Sequence, residues 1–216
     1  AVMFVSSLGS LGRGGRPLRI DGDAVRAEVT GGDGWREGEA PDVTGLDEAT
    51  RERLAAFWLD EGLAEHASVA TFSKLSLQLI AVASPPDLLE QAHAAALDEV
   101  RHAGLCFTLA TGYAGVACDP GTLPLGQGTL EVATLEQLAL ESFEDGCIGE
   151  TAAALVAEAA LEGALDPAVR GALRCIVSDE RRHAELAWAI VAFAMERGGD
   201  PVRRLLEAAL HQAALP

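Results

Sequence analysis

The sequence predicts an all-α fold, a four-helix bundle with a long connection between its second and third helices. Of its 216 residues, 49% are apolar and only 5% are aromatic, and alanine and leucine dominate, as suits closely packed helices. From residue 44 onward, long helical stretches end at proline and glycine. These observations predict a helical domain over 46–216, preceded by a different segment over 1–45.

The first predicted helix runs from about 47 to 83 and ends before Ser84-Pro85-Pro86. The second begins at Pro86, since proline suits the first turn of a helix, and fades near Thr111. A link of only a few residues forces the two helices into an antiparallel pair.

A second antiparallel pair is predicted in the C-terminal half. Its first helix begins at Thr134, where Thr134 and Gln137 match a capping box, and runs to about Gly163. Asp166-Pro167 then caps and opens the next helix, which stops at Gly198-Gly199.

The connection between the two pairs, over 112–130, is rich in glycine and proline and long enough to run the length of a bundle. It therefore predicts two helical hairpins joined by one crossover. A short fifth helix follows from Asp200-Pro201 and ends near Ala214.

Residues 1–45 hold ten of the 23 glycines and show no helical period. Residues 18–20 and 24–29 alternate roughly between apolar and polar, with Asp21-Gly22-Asp23 between them. This pattern predicts an extended arm or small hairpin laid over the helical domain.

The net charge of −17 argues against nucleic acid and anionic membranes as partners. The longest charge-free stretch, 103–118, is too short and too rich in glycine to span a membrane. The four cysteines form no Cys-x-x-Cys, and we interpret them as reduced thiols of a cytoplasmic protein. Residues 2–5 are apolar but lack the length and charged start of a signal peptide.

One octapeptide occurs twice within helical sequence. Asp-Glu-Val-Arg-His-Ala-Gly-Leu at 98–105 recurs as Asp-Glu-Arg-Arg-His-Ala-Glu-Leu at 179–186, with six of eight positions identical. Each copy contains Glu-x-x-His, and residues three apart share one face of a helix. Two such helices facing each other would surround a common point with two carboxylates and two imidazoles, which predicts a dinuclear metal centre.

The other two helices should each supply one glutamate. We favour Glu65, which has apolar neighbours along its helix face, and Glu150, which lies near the middle of its helix. Glu65 precedes Glu99 by 34 residues and Glu150 precedes Glu180 by 30, so all four lie at about one height. Glu144 would lie about 9 Å lower along the axis.

Four carboxylates and two neutral imidazoles balance two divalent cations. Without thiolates, such ligands suit iron, or alternatively manganese, better than zinc or copper. A redox-active pair of this kind can activate O₂ or peroxide, or oxidise Fe(II).

These motifs resemble those of the ferritin-like di-iron carboxylate superfamily over about 47–197. Residues 65–72 look like the rubrerythrin pattern Glu-x-x-Ala-x-x-x-Tyr, although Ser68 and Phe72 depart from it and no rubredoxin module is present. Tyr113, the only tyrosine, is predicted to lie in the crossover, which argues against a radical role near the metals. The resemblance implies that Glu99 and either Glu150 or Glu180 bridge the metals. It implies six ligands: Glu65, Glu99, His102, Glu150, Glu180 and His183.

Asp98 and Asp179 precede the repeated glutamates, and each is predicted to accept a hydrogen bond from the ligand histidine of the opposite helix. Arg101 and Arg182 are expected to pair with acidic neighbours. Glu61, one turn before Glu65, is an additional ligand, a proton relay or a surface group.

Gly146 and Gly149 lie in a predicted helix beside Glu150, where glycine is unfavourable. They indicate that room is needed there for a substrate, for O₂ or for a close helix contact, and Cys147 is expected to line that space.

The leading functional hypothesis is a di-iron oxidase or monooxygenase that oxidises a small organic substrate. Its electrons would come from a separate donor, and it would be a monomer or homodimer. The alternatives are a ferroxidase or iron-storage protein, a manganese catalase-like enzyme, and a non-catalytic acidic helical module.

Overall fold

The computed structural model describes residues 15–126 and 134–213, and within these ranges the protein is predominantly helical. Its helical elements are α1 (Glu48–Ala81), α2 (Pro86–Ala114), α3 (Leu135–Glu141), a π-helical segment (Ser142–Glu150), α4 (Thr151–Gly163) and α5 (Pro167–Ala213). Four two-residue strands accompany them: β1 (Arg19–Ile20), β2 (Asp23–Ala24), β3 (Val29–Thr30) and β4 (Asp119–Pro120). The predicted all-α class is confirmed.

The predicted start signals form the helix caps. The Asp47 side chain accepts a hydrogen bond from the Thr50 backbone at the start of α1. Thr134 and Gln137 form the reciprocal capping box of α3. Such caps contribute about 1 kcal/mol each because they satisfy backbone N–H groups that the first turn leaves unpaired.

The third helix is continuous through α3, the π-helical segment and α4, since Glu141, Ser142, Glu150 and Thr151 all keep right-handed helical backbone angles. Its middle is wider than an α-helix because the π-helical segment bonds each N–H one residue further back. The predicted helix from Thr134 to about Gly163 is confirmed, while its π-helical middle has no counterpart in the sequence prediction.

The last helix breaks where glycine predicts it. Gly199 has φ 61° and ψ −140° inside α5, a backbone conformation that side chains other than glycine disfavour. The portion after this kink folds back, and its Val202 and Leu206 pack against Ala139 and Phe143. The predicted end near Ala214 lies outside the described residues, and α5 is helical to Ala213.

The N-terminal segment lies against the helices in extended form. β1 and β2 pair through the two-residue turn Asp21-Gly22, whose positive φ angles of 54° and 89° match the twist of a tight hairpin. β3 pairs with β4, which ties the segment to the connection after α2. Residues 1–14 of the predicted arm, and 127–133 of the crossover, lie outside the described ranges.

Two apolar clusters show how the helices run. At one end, Trp58 packs with Tyr113, Ala157 and Ile176, and at the other, Phe72 packs with residues of three other helical elements. Those residues are Leu88, Leu138 and Ile190. The start of α1 thus meets the end of α2, and the start of α5 meets α4, so both neighbouring pairs are antiparallel. The second helix ends at one end of the protein and α3 begins at the other.

Tyr113 requires a correction. The helix before the connection extends to Ala114 and ends at Gly115 with φ 72°, so Tyr113 lies in α2 and is buried in the core. The helix thus continues three residues beyond the predicted end near Thr111, and Tyr113 packs in the apolar cluster with Trp58.

All four cysteines are free thiols, as predicted. Among the described helices, none combines the length and the apolar character that crossing a membrane requires.

Candidate metal centre

Six side chains converge between the two apolar clusters. Glu65 comes from α1, Glu99 and His102 from α2, Glu150 from the end of the π-helical segment, and Glu180 and His183 from α5. Five of the six are buried, and the Glu65 side chain is 17% exposed. These are the six residues that the sequence predicts as ligands, and their binding of a metal stays a prediction.

Their ligand atoms fall into two groups, in each of which all atoms lie within 4.8 Å of one another. The first group is Glu65, Glu99, His102 and Glu180, and the second is Glu150, Glu180 and His183. The arrangement provides two adjoining positions for cations, with Glu180 common to both.

Glu99 and Glu180 both lie between the two imidazoles. The Nδ1 atom of His102 is 3.8 Å from Glu99 Oε2 and 3.5 Å from Glu180 Oε1. The Nδ1 atom of His183 is 3.2 Å from Glu99 Oε1 and 3.6 Å from Glu180 Oε1. Glu99 and Glu180 therefore each lie within 4 Å of both imidazoles.

Each imidazole is anchored through its other nitrogen. His102 Nε2 lies 3.1 Å from Asp179 Oδ2, and His183 Nε2 lies 3.3 Å from Asp98 Oδ2, so each aspartate contacts the histidine of the opposite helix. When Nε2 donates its proton to aspartate, the Nδ1 lone pair of a neutral imidazole points at the carboxylates, as a metal ligand requires.

Arg101 and Arg182 complete a charge network around the two aspartates. Arg182 reaches Asp98 Oδ2 at 2.9 Å and Asp179 Oδ1 at 2.8 Å. Arg101 pairs with Asp98 and lies 3.4 Å from Asp179 Oδ2. The predicted pairing of both arginines with acidic neighbours is confirmed. Two positive charges thus balance the two aspartates.

Among the described residues, several of the atoms that could bind a metal have no hydrogen-bond partner. Within the described ranges these buried atoms include Nδ1 of both histidines, Glu99 Oε2, Glu180 Oε2 and both carboxylate oxygens of Glu150. Unpaired buried carboxylate oxygens are strongly unfavourable, and proteins normally pair such groups or use them to coordinate metals. The residues present therefore fit a pair of metal ions.

The imidazoles hold protons tightly. Burial lowers the pKa of His183, but the hydrogen bond to Asp98 and the nearby carboxylates outweigh it and raise the pKa to about 12. Burial likewise opposes protonation of His102, yet Asp179 and the neighbouring Cys175 and Glu99 hold its pKa well above the usual value. Protons thus occupy these imidazoles when no cation competes for them.

The pKa values of the carboxyl groups shift in two directions. Burial and the charge of Glu99 raise the pKa of Glu65, while burial and the charge of Glu180 raise the pKa of Glu150. Burial would also raise the pKa of Glu99, but the two imidazoles beside it lower the value far below the usual range. Glu99 is thus the most strongly anionic of these three.

Sequence reasoning misses Arg16, which enters the site from the N-terminal segment. Its guanidinium is buried, with Nε 3.6 Å from Glu150 Oε1, and it lies over the Phe72 ring at 5.3 Å from the ring centre. No helical period or repeat marks Arg16, so the sequence offers no signal for this placement.

The two glycines beside Glu150 accommodate that segment. A Cβ at Gly146 would lie 2.1 Å from Arg16 Nη2, and one at Gly149 would lie 2.5 Å from the Gly15 carbonyl oxygen. The space that the sequence assigns to a substrate, to O₂ or to a helix contact is therefore taken by residues 15 and 16. Cys147 is buried in the same segment.

Other predicted candidates lie outside this constellation. Glu61 is half-buried and belongs to none of the metal-binding groups formed by described residues. Cys175, which sequence reasoning also misses, lies with His102 and Asp179 in a third group on the far side of the His102 ring.

No family model matches the chain, and neither the curated proteins nor the solved structures contain a match.

Proposed function

We propose that this protein is a ferritin-like dimetal carboxylate oxidoreductase that holds two iron ions, with manganese as the alternative, and reacts with O₂ or peroxide. The observation that carries the proposal is the orientation of the imidazoles. Both His102 and His183 are fixed at Nε2 by an aspartate and present an unpartnered Nδ1 to the same buried carboxylates.

The ligand sets follow from the two groups of atoms and from the position of Glu99, which lies within 4 Å of the Nδ1 atoms of both His102 and His183. Glu65 and His102 would hold one cation, Glu150 and His183 would hold the other, and Glu99 and Glu180 would be shared. Four carboxylates balance two divalent ions, and oxygen and imidazole ligands without thiolate suit iron and manganese. Two antiparallel helix pairs, the first ending at one end of the protein and the second beginning at the other, support a ferritin-like bundle.

Iron or manganese would supply the redox chemistry with O₂ or peroxide, and the protein supplies a dry, preorganised ligand shell. Asp98 and Asp179 hold the imidazoles in one orientation, and Arg101 and Arg182 hold the aspartates. Phe72 packs against His183 with ring centres 5.0 Å apart, which keeps water from that side. Reducing equivalents would come from an external donor.

Two kinds of substrate are candidates for oxidation at this site. Oxidation of a small organic molecule is the hypothesis that the sequence favours, partly because of the glycines beside Glu150. Arg16 and Gly15 fill the space at those glycines, which favours a small reactant, so a ferroxidase that takes Fe(II) as its substrate is the second candidate function.

The first test is anaerobic loading of the metal-free protein with Fe(II), followed by exposure to O₂. We expect about two iron ions per chain by elemental analysis, with oxygen consumption that depends on the iron. Glu150→Gln should lose one of the two iron ions, because Glu150 belongs to only one of the two groups of ligand atoms. Glu144→Gln is the matched control, since Glu144 is an exposed acid of the same π-helical segment.

Absence of iron and manganese uptake, or uptake unchanged in Glu150→Gln and Glu180→Gln, would contradict the proposal. The two candidate reactions are separated by adding excess Fe(II) in air and measuring the particle mass. Repeated Fe(II) oxidation well beyond two ions per chain identifies a ferroxidase. Oxidation that stops at two ions directs the search to organic substrates.

A further inference from the structure

Arg16 is a buried cation on one side of the candidate metal centre. The residue is 3% exposed, and its Nε lies 3.6 Å from Glu150 Oε1. The Nε and Nη2 atoms have no hydrogen-bond partner in the structure. A guanidinium in this position adds one positive charge next to a ligand carboxylate that also faces Glu180.

The backbone around Arg16 is held by specific contacts. The Gly15 N–H donates to the Gly149 carbonyl at 3.0 Å, and the Ser68 hydroxyl donates to the Arg16 carbonyl at 3.1 Å. Gly146 leaves the space that the guanidinium occupies. Two elements, α1 and the π-helical segment, thus hold Arg16 in place beside Glu150.

Among the residues that the structure describes, none supplies an equivalent cation to the other half of the centre. In residues 15–126 and 134–213, the ion pair that Glu65 makes is with the His102 imidazole, at 3.9 Å. The two repeats supply matching aspartate, glutamate and histidine side chains, so Arg16 is the charge that distinguishes one position from the other.

We propose that Arg16 makes the two metal positions unequal, so that the position at Glu65 and His102 fills first and the position at Glu150 and His183 fills second and more weakly. This inference rests on the proposed dimetal function. Arg16 acts as a positioning residue: it attracts the Glu150 carboxylate and repels a cation that approaches it.

The size of the effect follows from Coulomb's law. A single charge within several ångströms of a divalent cation, at the effective dielectric constant of a protein site, changes affinity by about tenfold or more. Coupling is reciprocal, so occupation of the second position also weakens the contact of Arg16 with Glu150.

The experiment is a titration of the metal-free protein with manganese. Calorimetry and the electron paramagnetic resonance of Mn(II) monitor the binding. Wild type should bind in two separate steps. Arg16→Gln should tighten the second step by about tenfold or more and leave the first nearly unchanged. Arg16→Lys keeps the charge and should keep the separation.

Arg19→Gln is the matched control. Arg19 lies in the same segment and pairs with Asp145 of the π-helical segment at 3.4 Å, and its side chain is exposed. Its removal should leave both steps as in wild type. An unchanged or weakened second step in Arg16→Gln overturns the inference, as do two equal steps in wild type. Failure of wild type to bind any manganese or iron instead overturns the proposed function.

A measurement on wild type keeps the inference testable if Arg16→Gln does not fold. Zinc, which is diamagnetic, is added while the arginine Nε–H resonances are followed by NMR, with Arg16→Lys assigning the Arg16 signal. The signal should stay in place during the first equivalent and move during the second. Movement during the first equivalent overturns the inference.

Discussion

The two halves of the candidate centre carry the same repeat but are built differently. In the N-terminal half, Glu65 lies on the regular helix α1 and its side chain is 17% exposed. In the C-terminal half, Glu150 ends a π-helical segment, is 1% exposed and faces Arg16. The repeated octapeptide explains what the halves share, and the N-terminal segment explains how they differ.

The backbone of the two halves differs because Glu65 lies in an α-helix and only Glu150 lies in a π-helical segment. Its wider turns and its two glycines let the Gly15 backbone approach the helix, which an α-helix with side chains at 146 and 149 would prevent. Since π-helical turns often occur at functional sites, this asymmetry is the feature most useful to perturb.

The largest expected effect comes from removing a ligand that both halves share. Glu180→Gln should abolish binding of both cations, because Glu180 belongs to both groups of ligand atoms. Glu65→Gln should remove one cation and leave the other. Elemental analysis after dialysis measures the difference. If Glu180→Gln and Glu65→Gln each lost one cation, the shared role of Glu180 would be wrong.

Replacing either of the two aspartates should lower metal affinity by a smaller amount, and the two losses should be equal. Asp98→Asn and Asp179→Asn each remove the carboxylate that orients a histidine, and loss of such partners typically lowers metal affinity about 10- to 100-fold. Competition with a chelator measures the change. Glu185→Gln is the control, an exposed acid in the same repeat. A loss in only one of the aspartate variants would show that the halves differ at this level too.

Raising the pH should strengthen metal binding in both halves. His102 and His183 have raised pKa values and Glu65 and Glu150 also have raised pKa values, so the metal-free site holds protons that a cation must displace. One proton released per cation changes the affinity about tenfold per pH unit. Calorimetry in buffers of different ionisation enthalpy counts the protons. Binding that does not change with pH would contradict these protonation states.

The stability of the metal-free fold depends on pH in the opposite direction from metal binding. Because the folded protein raises the pKa of both histidines, their protonated forms stabilise the metal-free fold below the usual histidine pKa. That contribution is lost as the pH rises through the raised values. Thermal stabilisation by added metal should therefore grow as the pH rises, and melting curves with and without manganese measure it.

The sequence predicts the helices and the convergent side chains well because both depend on local pattern. Residues three apart share a helix face, and the capping residues and Gly199 mark where helices begin and break. Arg16 and the π-helical segment depend on contacts between residues far apart in the chain, and no periodicity encodes them. Gly149 illustrates the limit: the sequence shows that room is needed, and only the structure shows that Gly15 fills it.

The smallest expected effect is a change in the free energy of unfolding, which tests whether Gly15 fills the space at Gly149. Gly149→Ala places a Cβ 2.5 Å from the Gly15 carbonyl oxygen, and a backbone atom there cannot turn aside as a flexible side chain can. We expect the free energy of unfolding to fall by about 1–3 kcal/mol, as for other overpacked sites. Gly171→Ala is the matched control, since a Cβ at this position of α5 meets nothing within 4 Å. It should raise the free energy of unfolding by up to about 1 kcal/mol, because alanine is the better helix former.

Urea unfolding of the metal-free variants compares the two glycines directly. Because Gly149→Ala also displaces the backbone that carries Arg16, it should tighten the second manganese step, as Arg16→Gln does. If both alanine variants were stabilised and bound manganese like wild type, residues 15 and 16 would not pack against the π-helical segment. The two halves of the centre would then be equivalent in charge, and the repeat alone would describe the site.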